Sequence, residues 1–221
     1  MSKNLAPNDG ALKELKEHYR SGRLRVREFR RDGKLEGERK LWYDDGKLYM
    51  EQHYRNGKLE GEHKVWHENG NLNSQMFYRN GNLEGKYQRW YFNGQIQIQE
   101  FYLHGEREGE LKVWHKNNQL GMRALYVKGI IEGRCDYFHE GGKIANRVFY
   151  QNGIKRGENK TWSSCGQILE HKFYIDIFAA DYGFSQPKKC LLLKLRKELI
   201  SKSSLFDTFL VSDLLKTARN I

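Results

Sequence analysis

The sequence predicts a mainly β fold, an elongated antiparallel array of β-hairpins made of six 24-residue repeats, closed by a short α-helical cap at the C-terminus. Three observations carry this expectation. Glycines recur every 24 residues at Gly33, Gly57, Gly81, Gly105, Gly129 and Gly153. A second glycine phase lies four residues on, at Gly37, Gly61, Gly85, Gly109, Gly133 and Gly157. All five tryptophans share a third phase, Trp42, Trp66, Trp90, Trp114 and Trp162, with Phe138 taking the remaining place. Self-similarity at a fixed period without insertions means stacked units that bury apolar surface against their neighbours.

The elements follow in chain order. Residues 1–26 form an N-terminal segment with a partial repeat, because Gly22 and Leu24 match the register of Gly46 and Leu48. Six copies then run 27–50, 51–74, 75–98, 99–122, 123–146 and 147–170, and a seventh opens at His171-Lys172-Phe173-Tyr174 and stops. The array thus occupies 27–174, and 175–221 is read as a linker and cap. Within the second copy, Asn56-Gly57 and Asn69-Gly70 are dipeptides that tight turns with positive φ favour. Between them His63–His67 makes one strand, and Leu72–Tyr78 the next. The N-G-x-x-x-G connection is read as the longer loop and x-N-G as the shorter, giving about twelve strands spaced ~4.8 Å apart. Strand alternation places the Leu72 and Tyr78 columns on one face together with the tryptophans, and Phe77, Phe101, Phe149 and Phe173 on the other. Both faces therefore carry apolar groups.

Composition narrows the class. Twenty-two glycines with two prolines exclude collagen-like and Pro-rich chains, and 13% aromatic residues suit pleated strands rather than disorder. The net charge is +11, yet residues 27–170 hold 24 Lys and Arg against 20 Asp and Glu. A continuous phosphate track is not expected on so balanced an array, and nucleic acid is a poor candidate partner. The positive excess concentrates at Lys188, Lys189, Lys194, Arg196 and Lys197, a patch able to meet phosphates, anionic lipid head groups or an acidic partner. Three unpaired-looking cysteines, no apolar leader and no run of the ~20 apolar residues a spanning helix needs predict a soluble, cytoplasmic protein.

Tyr54-Arg55-Asn56-Gly57-Lys58-Leu59-Glu60-Gly61, followed by Trp66, Asn69-Gly70 and Leu72, resembles the MORN repeat, and more closely the variant of YwqK-type antitoxin-like proteins. The resemblance covers about residues 22–175. It implies an elongated stack of β-hairpins serving as an interaction or scaffolding module, of a kind common in bacteria and large DNA viruses. In a virus-encoded case the location would be host cytoplasm or virion. Three departures stand out: Asn118 in place of a turn glycine, Phe138 in place of Trp, and Arg30 in place of Tyr. Asn tolerates positive φ, so the first leaves the turn intact.

Three sets of residues offer candidate chemistry. His67, His115 and His139 share one column beside the tryptophans, but equivalent positions lie roughly 10 Å apart across two strands. Zinc ligands sit ~2.0–2.1 Å from the metal, so no shared ion is expected. These histidines are read as exposed strand residues and members of an interaction surface with Phe77, Phe101 and Phe149. Cys165 occupies an ordinary turn position with no base positioned beside it. Glu36, Glu60, Glu84, Glu108 and Glu132 precede the second glycine of the first five copies, with Arg156 in the sixth, and are read as solubilising loop charges. No catalytic residue, cofactor or metal is expected.

Beyond Pro187, Cys190, Leu191, Leu193, Leu195, Leu199 and Ile200 interleave with the basic residues, and Ser204-Leu205-Phe206-Asp207 has capping-box form. These helices either cover the open edge of the last repeat or lie on an anionic membrane or partner groove. The functional expectation is a non-catalytic protein–protein scaffold. The alternatives are a peripheral membrane adaptor working through the basic segment and an antitoxin-like inhibitor of a partner protein. Oligomeric state is left open.

Overall fold

The computed structural model describes residues 10–174. The helices expected after Pro187, with Lys188, Lys189, Lys194, Arg196 and Lys197, lie outside the described residues. The chain divides into two compact units, Met1–Glu132 and Gly133–Ile221.

The first unit is a meander in which every strand pairing is antiparallel. β1 (Lys13–His18) pairs with β2 (Leu24–Arg31), β2 with β3 (Lys34–Trp42), and β3 with β4 (Leu48–Arg55). β5 (Lys58–Leu59) and β6 (Gly61–Trp66) both pair with β4, and β6 pairs with β7 (Leu72–Arg79). The same pattern recurs through β8 (Asn82–Leu83), β9 (Gly85–Trp90), β10 (Ile96–Leu103), β11 (Glu106–Arg107), β12 (Gly109–Trp114) and β13 (Leu120–Val127). β14 (Ile130–Phe138) carries the unit boundary. In the second unit its residues from Gly133 on pair with β15 (Ile144–Gln151), which pairs with β16 (Ile154–Trp162), which pairs with β17 (Ile168–Tyr174). β1 and the turn after it precede the first full copy.

Strands outnumber the twelve expected because the partial repeats at the two ends add two, and in three copies the Glu-Gly step leaves the ladder and splits off β5, β8 and β11. Register sums show it: Tyr54 faces Leu59, whereas Met50 faces Val65, so two residues on the β5–β6 side are extra. An excursion of two residues preserves alternation, and Leu59, His63 and Val65 keep one face.

The relative length of the two turns is the reverse of that expected. Asn56 (φ 50) and Gly57 (φ 78) are both left-handed, a two-residue type I′ loop whose twist matches the strands. On the other side of each hairpin the His67 N–H donates to Asn71 O at 2.8 Å and the Gly70 N–H to His67 O at 2.8 Å, which encloses a three-residue loop ending in a left-handed glycine. Asn118 (φ 65) takes that glycine's place in the fourth copy, as expected.

This three-residue loop brings a β-bulge. Trp66 faces Leu72 while Val65 faces Ser74, so Asn73 is an extra residue and the register slips by one. Parity counted from Leu72 to Tyr78 crosses that slip, and their expected common face is not found. Gly61↔Tyr78, His63↔Met76 and Val65↔Ser74 share a face, and Trp66, next to Val65, turns away from it. The tyrosine face is the more buried one. In the first unit it holds buried Val26, Glu28, Gln52, Ser74, Glu100, Leu111 and Ala124; in the second, Cys135, Val148 and Asn159.

Placing a Cβ-branched residue at the second position of the type I′ turn should strain the backbone. Gly81→Val (φ 87) is expected to lower stability by about 1–3 kcal/mol, whereas Asn80→Gly should change it by less than about 0.5 kcal/mol, read from urea midpoints.

Candidate interaction surface

The glutamates before the second glycine cap turns. A two-residue turn leaves its own first amides without partners inside the hairpin, and the preceding repeat accepts both. The Asn56 N–H donates to the Glu36 carboxylate at 2.7 Å, and the Gly57 N–H to Leu35 O at 2.8 Å. Asn80 and Gly81 repeat this on Glu60 and Leu59, His104 and Gly105 on Glu84 and Leu83, and Lys128 and Gly129 on Glu108 and Arg107. The carboxylates are thus structural acceptors, which corrects their reading as solubilising charges. Their strict 24-residue recurrence was the available signal.

The opposite loop edge is joined forwards by the residue just after β1, β3, β6, β9 and β14. Tyr19, Tyr43 and Tyr91 each donate their hydroxyl at 2.7 Å to the backbone carbonyl of the next copy's tryptophan, Trp42, Trp66 and Trp114. His67 reaches Trp90 O through Nε2 at 3.1 Å in the first unit, and His139 reaches Trp162 O at 2.9 Å in the second. A carbonyl only accepts, so Nε2 carries the proton in both. At His67, Nδ1 lies 3.1 Å from the Asn73 side-chain amide, so both ring nitrogens are engaged. His67 also meets Phe92 edge-on at 5.4 Å. His67, His115 and His139 are half-buried rather than open strand residues. The sequence column Tyr, Tyr, His, Tyr, His, His conceals one requirement: a ring that carries a donor.

Beside the cross-copy bonds lies the open face. Glu62 faces Phe77 and Lys64 faces Gln75, with Lys64 Nζ 2.6 Å from Glu62. Lys40 lies 2.5 Å from Glu38 and 3.2 Å from Glu51. Glu38, Glu51 and His53 converge closely enough to suggest a cation site, but the Lys40 ammonium already sits between the carboxylates. Within this polar ladder Phe77 is 42% exposed and Phe101 38%, two strands and roughly 10 Å apart, with exposed Leu125 in the next copy. In the second unit Phe149 is similarly exposed. The sequence-predicted phenylalanines thus stand open, whereas the histidines are drawn into the loop edge.

On the tyrosine face, buried acids are matched by arginines. Glu28 takes Arg30 and Arg39, both at 2.8 Å, and Glu100 takes Arg107 at 2.7 Å. In the second unit Asp136, on the opposite face, takes Arg147 at 2.7 Å and Arg134 at 3.1 Å. Burial pushes the Glu28 carboxyl up, but hydrogen bonds and charge from Arg30 and Arg39 outweigh it, leaving the group below the ordinary 4.5. Lys64 and Gln75 hold Glu62 down in the same way. The Cys165 thiol is exposed and held low by a hydrogen bond with Ser163, whereas burial pushes Cys135 up.

Residues 35–56, 59–80 and 83–104 match the MORN repeat variant, each span opening on the strand that follows a type I′ turn or on the last residue of its short stretch. Residues 35–104 carry three consecutive MORN-variant repeats. MORN repeats in general serve as interaction modules for proteins or membranes. Among curated proteins no match to the chain is found. The matched copies hold the turn-capping Glu36, Glu60 and Glu84 and the exposed Phe77 and Phe101.

Two outcomes test this reading of the repeats. Glu60→Ala should strip the Asn80 amide of its acceptor and destabilise by about 0.5–1.5 kcal/mol, with Glu60→Gln recovering most of the loss in urea unfolding. Because the folded-state pKa of Glu28 is lowered, its contribution is full above pH 4.5 and is lost as pH falls through the lower folded value. Thermal midpoints followed down to about pH 3 should therefore drop less steeply below pH 4.5 for Glu28→Gln than for the native chain.

Proposed function

We propose that the protein is a non-catalytic scaffold whose MORN repeats bind another protein across the face that carries Phe77 and Phe101. The observation that carries this is the pair of open phenylalanines, one per repeat, set in a frame of ion-paired glutamates and lysines. Aromatic anchors inside a polar rim are the arrangement that concentrates binding energy at protein interfaces, since a flat rigid ring contributes much contact area for little lost freedom. The residues that suggested chemistry are otherwise engaged. Glu36, Glu60, Glu84 and Glu108 hold turn amides, and His67 and His139 hold tryptophan carbonyls. A cytoplasmic setting belongs to the proposal and is supported by the free thiols of buried Cys135 and exposed Cys165.

The experiment compares three full-length chains as bait in lysate of the native host: the native sequence, Phe77→Ser with Phe101→Ser, and Lys188→Glu with Lys189→Glu. A protein retained by the native bait should be lost by roughly tenfold or more with the serine pair and kept with the glutamate pair. Retention by the serine pair with loss by the glutamate pair would place the function on the basic C-terminal segment, and lipid recovered in place of protein would favour a membrane adaptor.

A further inference from the structure

β1 is the first strand of the sheet, and among the described residues it pairs only with β2. All six of its residues are exposed, as is Leu12 before it. Such an edge offers unpaired backbone donors and acceptors to another chain, and natural edges are usually blunted by charge, proline or a bulge. β1 is charged, but its charges are ordered. Lys13-Glu14-Leu15-Lys16-Glu17 reads positive, negative, apolar, positive, negative. Read backwards, every sign is inverted about Leu15.

We propose that β1 is a self-recognition edge, by which two copies of the chain pair β1 with β1 antiparallel about a twofold axis at Leu15. In that register Lys13 faces Glu17, Glu14 faces Lys16 and Leu15 faces Leu15, so all four charged cross-strand pairs are opposite in sign. Opposite charges directly across an antiparallel pair are favourable and like charges unfavourable. Sliding one copy by a single residue places Glu14 against Glu17 and breaks the match.

Backbone phase agrees with the charges. In an antiparallel ladder alternate residues direct their N–H and C=O to one side, so only residues of equal parity can exchange hydrogen bonds across a new edge. The register centred on Leu15 joins 13 with 17, 14 with 16 and 15 with itself, equal parity throughout. The one-residue slip joins unlike parities. Leu15 also has a reason to seek cover. It stands 45% exposed in the column where Leu111, on a strand paired on both sides, is 9% exposed.

The other exposed end serves β1 less well. β1 lies at the phase of β16, with Lys16 equivalent to Lys160 and Glu14 to Glu158. Extending the β15–β16 register, Asn146↔Thr161 and Arg147↔Lys160, by one repeat would set Glu170 of β17 against Glu17 and His171 against Lys16. The first of these pairs is a like-charge clash. The β1–β1 contact is isologous and closes at two copies. Six residues a side bury less than the ~1,200 Å² of a standard interface, so the dimer is weak and concentration-dependent.

Sedimentation equilibrium on the full chain, from low micromolar to several hundred micromolar, should show a monomer–dimer equilibrium. Glu14→Lys with Glu17→Lys gives an all-positive edge, and Lys13→Glu with Lys16→Glu an all-negative one. Each alone should dimerise roughly tenfold or more weakly than the native chain, and an equimolar mixture of the two should recover a heterodimer. Both variants touch exposed side chains, and their surface ion pairs, Lys16–Glu14 and Arg25–Glu17, are of the kind that add little to stability. Hydrogen exchange of the native chain supplies a readout that does not depend on the variants: β1 amides should gain protection as concentration rises. A native chain that stays monomeric throughout overturns the proposal. So does a dimer that both variants retain, which would assign the contact to β17 or to residues 175–221, and so does exchange at β1 that is indifferent to concentration.

Discussion

The hand-over of turn amides from one repeat to the one before it is the constraint on which the array rests. A type I′ loop is the tightest connection available to two twisted strands, but it leaves two N–H groups aimed outward. Here Gly57, Gly81, Gly105 and Gly129 give theirs to a backbone carbonyl of the preceding copy, and the residue before each glycine gives its own to a glutamate. Because donor and acceptor lie twenty residues apart for the carboxylates, any change in repeat length would unmake the bond. The strict 24-residue period follows from this geometry as much as from strand packing.

The first unit buries acids on one face of its sheet, and the way that tyrosine face tolerates them is instructive. Glu28 and Glu100 are nearly as inaccessible as Val26 and Leu111, yet each is gripped by arginine guanidinium groups that reach along the same face. Arginine suits this task because its stem covers apolar surface while its planar head satisfies a carboxylate. The opposite face of the first unit needs no such compensation, since its lysines and glutamates neutralise one another in the open. On that face Phe77 and Phe101 stand exposed, with Leu103, Leu125 and Val127 beside them in the later copies.

Much of this was legible in the sequence. The Asn-Gly pairs located both turns but not which is the tighter, and Asn118 fits a left-handed position as expected. What failed was parity. Counting by twos from Leu72 to Tyr78 ignores the extra residue that a three-residue loop with a left-handed glycine brings, and one such residue exchanges the faces of everything beyond it. The histidines were misplaced for a related reason. His67, His115 and His139 were compared with each other rather than with Tyr19, Tyr43 and Tyr91 in the same column, which would have exposed the shared hydrogen-bond donor. The glutamates show that strict recurrence in a loop signals a bonded acceptor at least as well as it signals charge.

Each repeat in the first unit borrows acceptors from its predecessor along one loop edge and reaches its successor along the other, so no unit is chemically closed on its own. Copy number is consequently a quantised quantity. Removing one whole 24-residue segment from the interior rejoins every severed donor to an equivalent acceptor, and duplicating a segment does the same. A deletion of any other length leaves both edges mismatched. Through unequal recombination such a gene can lengthen or shorten its product in steps of one hairpin pair, changing how many phenylalanine anchors the ribbon displays while its fold stays the same.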